Sequence, residues 1–483
     1  MSLSSLKYLL FLAAAATAYF LLPKRLRAPF LLLASYVFYA LWRPAFCLLL
    51  LAVTAASYGA ALAFERRLLG RRRLWIALGA LALFAALFLF KYLDFFCNTL
   101  LSLAGREPDF HSGLLLPVGV SFYTFSAAAY LFDLGAGRIE AERSFVHYAL
   151  YTAFFPSLLS GPIHRAGALL PQLHEARDFC YTDLKRGLLR FAAGAVKKCV
   201  LADSLGLLVD GVWGDAAGCP GWLLALAAAA YSLQIYFDFS GYTDMALGSA
   251  RILGFALPEN FRAPYLARSI RDFWRRWHIT LTSWFRDYLY IPLGGSRRGR
   301  ARRYLNILLV FAVSGLWHGA GGSFLVWGVL NGLYQVTGEL LAPLRARLRR
   351  ALGLRGDGAL TILLQRLGTF ALASVAWVFF RAPDTAAALA YLTRMVTAFA
   401  PGAGLGALHA YLGYRQLALC ALMTALFALD SLRIERGGRG FFEGLEERSL
   451  PCWLTLAGAA FAVAVFGVYG PGFDAGSFVY FQF

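Results

Sequence analysis

Negative charge is scarce in this sequence, and charge of any kind is uncommon. Asp and Glu number 27 against 46 Lys and Arg, and charged residues make up only 15% of the 483. Soluble domains carry about a quarter, so that class is excluded. Cysteine is sparse and unpatterned: seven residues, at 47, 97, 180, 199, 219, 420 and 452, with no Cys-x-x-Cys among them. An odd, scattered set excludes both a disulfide framework and a zinc site, and these residues read as small hydrophobes within helices. A P-loop is missing too, since the turn PLGGSRRGR (Pro292 to Arg300) lacks its spacing. No fixed-period repeat divides the chain and no polar linker sets off a soluble part. Residues 1–483 therefore read as a single domain.

Apolar sequence is what the chain has in quantity. It is 59% hydrophobic, with a mean hydropathy of +0.60. The fold class is an all-α polytopic membrane protein, with room for roughly ten to twelve spans of about 20 residues. The formal charge of +19 does not point to nucleic acid. Its arginines gather in short turns between apolar segments, as cytoplasmic loops require, so membrane lipid is the expected partner.

That charge asymmetry predicts a topology. Residues 6–22 read as a retained first span with its N-terminus outside, because Lys24, Arg25 and Arg27 follow it while only Lys7 precedes. Spans are expected near 29–42, 45–64, 74–100, 114–132, 188–212, 222–253, 360–380, 412–430 and 453–469. A hairpin is expected over 304–341, and an amphipathic piece at 384–398. The run 145–160 leads into Gly161-Pro162, which must break a helix and predicts a broken or re-entrant element. Between Arg251 and Arg303 stand twelve arginines and three acids, interleaved with Trp and Tyr. This stretch, 251–303, reads as cytoplasmic helices lying in the interface. The chain ends outside on an aromatic tail, 471–483.

Ionisable residues at membrane depth are costly and therefore mark function by default. His318 lies in the apolar run SGLWHGAGG, with Gly319, Gly321 and Gly322 leaving space beside the ring. Burial favours its neutral form, which can take a proton from a hydroxyl that then attacks a thioester. A packing histidine bonded to a carbonyl would carry the same surroundings. His278 follows RDFWRRW, sharing a helical face with Trp274 four residues before. Arg271, Arg275 and Arg276 suit phosphates on a cytoplasmic donor, or equally lipid headgroups. Asp238 and Asp244, in QIYFDFSGYTDMALG, lie on different faces of a helix. Asp238 shares its face with Tyr242. Ion pairing or a polar path accounts for both carboxylates.

DFWRRWHITLTSWFRDYLYIPLGG and SGLWHGAGGSFLVWGVLNG together resemble the membrane-bound O-acyltransferase family, in its bacterial polysaccharide-modifying branch. FPSLLSGPIHRAGALLPQL, QIYFDFSGYTDMALGSARILGF, PENFRAPY, WVFFRA and FVYFQF extend the likeness from about residue 155 to the end, in the family order. The resemblance implies a ring of helices, with re-entrant and interfacial pieces, around a central tunnel. It implies that His318 is the essential histidine and His278 the second histidine of this branch, on the donor side. Asn331 stands where some members carry histidine, and His164 where a glutamate is common.

The reaction so implied moves an acetyl group from cytoplasmic acetyl-CoA, with no bound cofactor or metal. The acceptor is a cell-envelope or secreted polysaccharide at the bacterial cytoplasmic membrane, and an extracytoplasmic esterase-like transferase is the implied partner. D-alanyl transfer to teichoic acid from a carrier-protein thioester is the alternative within the family. A transporter or flippase is the alternative outside it, and the paired broken helices common in that class are absent. The tail adds one expectation: Tyr480, activated by His318, takes the acyl group and hands it to the partner. An aromatic anchor at the interface would also account for the tail.

Overall fold

The computed structural model describes residues 1–66, 72–354, 356, 358–400, 406–409, 411–438 and 440–469. Among them every regular element is helical. Six helices are long and apolar enough to cross a membrane: Phe46–Glu65, Arg73–Lys91, Gly221–Ile252, Ala359–Arg381, Tyr414–Glu435 and Ser449–Phe466. The last two bury few of their side chains within the protein, and leucines such as Leu422 and Leu454 stand fully outward. Lipid is the medium in which such faces are covered. The chain is a multi-pass membrane protein.

Two compact sets of helices make up the chain. The first comprises 1–193 and 242–258. It begins with α1 (Leu6–Leu21), α2 (Lys24–Ala40), α3 (Phe46–Glu65) and α4 (Arg72–Lys91). It continues with α5 (Leu93–Leu103), α6 (Val120–Gly135), α7 (Phe145–Ala153), α8 (Ala166–His174) and α9 (Tyr181–Ala195). Serine caps set two of the starts: Ser5 Oγ accepts from the Tyr8 amide at 3.2 Å and Ser144 Oγ from the His147 amide at 3.4 Å. The expected span at 74–100 is two helices, α4 and α5, meeting at Tyr92.

The break forecast at Gly161-Pro162 is real and longer than the dipeptide, since α7 stops at Ala153 and α8 starts at Ala166. Irregular backbone among buried side chains must find partners. The Phe155 amide donates to Ser35 Oγ at 3.2 Å and the Gly161 amide to the Ser157 carbonyl at 3.0 Å. His164 lies within the break, with Nε2 2.9 Å from the Tyr151 carbonyl and Nδ1 3.3 Å from Ser157 Oγ.

The second set comprises 194–241 and the described part of 259–473. A π-helical turn, Val196–Ala202, runs into α10 (Asp203–Gly214), so the span expected at 188–212 is helical throughout but interrupted. The long α11 (Gly221–Ile252) follows, its residues from Tyr242 onward belonging to the first set. Then come two short helices, α12 (Ile270–Arg276) and α13 (Ile279–Phe285). The predicted hairpin is α14 (Gly299–His318) and α15 (Gly322–Leu340). It is followed by α16 (Ala342–Ala351), α17 (Ala359–Arg381), α18 (Thr385–Thr397), α19 (Gly406–His409), α20 (Tyr414–Glu435) and α21 (Ser449–Phe466).

Candidate active site

The site is built in the second set, where α14 meets α15. The two helices approach closely because glycine lines their contact. A Cβ on Gly315 would overlap the Phe324 carbonyl, and one on Gly328 would overlap the Phe311 carbonyl. Close backbone approach of this kind drives helix pairing where lipid offers no hydrophobic gain. His318 is the last residue of α14. Gly319 after it has extended backbone that any residue could adopt, so its role is space: a Cβ there would run into the Phe324 ring.

His278 arrives from a different local structure. Ser269 Oγ accepts from the Asp272 amide at 3.2 Å and starts α12, which ends at Arg276. His278 then adopts left-handed backbone, φ 43° and ψ 54°, and caps α13. Histidine is among the side chains enriched there, although the conformation still carries strain. Asn260, fully buried, pins the turn. Its carbonyl accepts from the Ile279 amide at 2.9 Å, and its Oδ1 accepts from the Thr280 amide and hydroxyl at 3.2 and 2.7 Å. Because the helix breaks at this turn, His278 does not share a face with Trp274, and the sequence expectation is corrected on that point.

The two imidazoles meet, with ring centres 6.5 Å apart. Trp317 lies beside both, 6.0 Å from His278 and 4.8 Å from His318. Phe239 packs on His278 at 4.7 Å, while Trp327 and Phe380 pack on His318 at 5.0 and 5.3 Å. Both histidines are buried. For His278, which lies between the candidate spans, burial pushes the imidazole down to about 3. It is a neutral ring at physiological pH.

The other residues singled out in the sequence have defined places. Asn331 accepts from Trp274 Nε1 at 3.1 Å and donates through Nδ2 to the Trp327 carbonyl at 2.9 Å. It therefore fixes the tryptophan that packs on His318. Arg271 pairs with Glu339 at 2.5 Å, a carboxylate shared with Arg303. Arg276 pairs with Asp272 at 3.0 Å and Glu435 at 3.3 Å, and Glu435 also holds Arg366. Arg275 is exposed. Asp244 pairs with Arg190 at 2.6 Å within the first set. Asp238 lies 2.8 Å from Lys198 Nζ, and Asp203 holds the same ammonium at 2.8 Å. Tyr480 and the tail around it lie outside the described residues.

Sequence reasoning missed Asn260, Phe239 and the Lys198–Asp203–Asp238 cluster. For the cluster a signal existed, since charge inside the apolar run GAVKKCVLADSL is itself unusual.

Residues 141–351, which contain both histidines, match the membrane-bound O-acyltransferase family. The probable alginate O-acetylase of Pseudomonas aeruginosa is 38% identical over 387 residues, covering 78% of this chain and 71% of that protein. The chain belongs to the membrane-bound O-acyltransferase family. It is an enzyme, an O-acyltransferase. The peptidoglycan O-acetyltransferase of Helicobacter pylori is 34% identical over 421 residues, 80% of this chain and 78% of that one. The teichoic acid D-alanyltransferase of Bacillus subtilis is 26% identical over 232 residues, 44% of this chain and 56% of that one.

Proposed function

We propose that this acyltransferase moves acetyl groups from cytoplasmic acetyl-CoA across the bacterial cytoplasmic membrane, for O-acetylation of a cell-envelope or secreted polysaccharide. The observation that carries the proposal is the meeting of His318 and His278, 6.5 Å between ring centres, within aromatic walls. A neutral His318 imidazole takes the proton of the acceptor hydroxyl as that oxygen attacks the thioester carbonyl. The C–O bond forms and the C–S bond breaks. The leaving thiolate then recovers the proton, giving an acetyl ester and the free thiol. His278 presents a second neutral ring to the same acyl group from the donor side. Trp327, fixed by Asn331, keeps the His318 ring oriented.

The family-type architecture proposed around this pair is a ring of roughly ten to twelve spans with a tunnel open to both faces. The hydroxyl that first receives the acyl group is that of Tyr480, on the extracytoplasmic tail, which passes it to an esterase-like partner acting on the polymer. Acetyl is favoured over D-alanyl because the acetylating relatives align over 78% and 80% of this chain, and the D-alanylating one over 44%.

Purified protein in detergent, supplied with acetyl-labelled acetyl-CoA, tests the reading. Wild type should cleave the thioester and His318→Ala should lose at least about a hundredfold in rate. Label recovered on the C-terminal peptide supports the Tyr480 step. Turnover of a carrier-protein thioester in place of acetyl-CoA overturns the donor assignment.

A further inference from the structure

The first set of helices carries a cavity that acyl transfer at His318 does not use. Its volume is about 350 Å³, and its wall includes Lys24, Arg25 and Arg27 of α2, His147 of α7 and His174 of α8. Among the described lining residues none is a carboxylate; the remainder is largely apolar, with Leu31, Leu150 and Phe255. The cavity is therefore amphipathic, cationic on one side and greasy on the other.

The cationic side is organised. Arg27 is buried and held by three backbone carbonyls, Leu22 at 3.0 Å, Arg177 at 2.5 Å and Phe20 at 3.2 Å. Carbonyls fix the guanidinium without cancelling its charge, and the nearby Asp178 stands off at 3.7 Å. Lys24 reaches Asp178 at 2.8 Å, but both side chains are mostly exposed, and such a pair costs little to exchange. These three cations occupy the first turn of α2, a helix of 17 residues with no side-chain cap, so its amides add a partial positive charge. Opposite them the imidazoles of His147 and His174 stack at 4.0 Å. His147 Nδ1 is 2.8 Å from Ser144 Oγ, and His174 Nε2 is 2.7 Å from Glu142 Oε2. Leu21 and Leu26, on either side of Lys24 and Arg25, are exposed. Exposed leucine beside exposed arginine is the composition of a chain at headgroup level, where phosphates are.

We propose that this cavity is a phosphate-binding site that seats the headgroup of an anionic phospholipid, with Lys24, Arg25 and the α2 amides on the phosphate and the glycerol and first methylenes along Leu31, Leu150 and Phe255. The geometry is independent of the reaction at His318 and of which face of the membrane α2 meets.

The test is native mass spectrometry of the full chain, delipidated in a zwitterionic detergent and titrated with phosphatidylglycerol, phosphatidylcholine or ADP. Phosphatidylglycerol should bind with a preference over phosphatidylcholine of about tenfold, and Lys24→Gln/Arg25→Gln should remove most of that preference. Both positions are exposed, so the lipid-free thermal midpoint should hold; Arg25→Gln alone serves if the double variant is unstable. ADP that binds and displaces the lipid would keep the phosphate site and reassign it to a soluble ligand. Equal binding of the two lipids without ADP binding, or a preference unaltered by the substitutions, overturns the proposal.

Discussion

His278 carries two penalties at once, left-handed backbone and complete burial of a titratable ring. The second has a direct consequence for stability. Its imidazole falls from 6.5 to about 3 because burial disfavours the cation. On acidification the unfolded chain therefore binds this proton first. The stabilisation from the neutral ring is complete above about 6.5 and is lost progressively as pH falls toward 3. The thermal midpoint of the purified protein should drop across that window, and His278→Gln, with no proton to gain, should flatten the drop. An unaltered slope would mean that the acid lability lies elsewhere. The chemistry of His278 was legible in the sequence, but its conformation was not. A helical reading through RRWH fails because Asn260, far upstream, supplies the hydrogen bonds that hold the turn.

Elements show the same division. Helix existence followed from apolar runs and charged turns, whereas the close packing of α14 on α15 depends on which glycines face one another. Two glycines of α15 make opposite predictions. A Cβ at Gly328 meets a backbone carbonyl, while one at Gly338 meets nothing within 4 Å. Gly328→Ala should lower both the thermal midpoint and acyl transfer. Gly338→Ala should leave activity unchanged and stabilise the helix by about 0.5–1 kcal/mol, read as a small rise in midpoint. Asn331→Leu removes the acceptor of the buried Trp274 N–H. It should cost about 1–3 kcal/mol in unfolding free energy, with a fall in kcat as Trp327 loosens against His318.

Across the whole molecule, composition announced a membrane protein but not how its helices are interrupted. A hydropathy count measures length and apolarity. It cannot distinguish α6, which buries almost every side chain, from a lipid-facing span, nor see that 188–212 contains a π turn. That turn carries the ammonium held by Asp203 and Asp238. Lys198→Met should destabilise by about 3–5 kcal/mol by leaving carboxylates buried without it, while Lys198→Met combined with Asp203→Leu and Asp238→Leu should recover much of the loss. Unfolding midpoints of the four proteins decide this. The π turn has a further consequence, for insertions and deletions. Lys198 and Asp203 are five residues apart, the spacing that an i to i+5 turn brings together. Loss of one residue from 199–202 would turn the stretch into ordinary α-helix and place the same two side chains four apart, still within reach. The pair would survive, but everything after it in α10 would be rotated by about 100° and its buried face carried out of register. Hydropathy would not notice such a deletion, and the fold would not tolerate it.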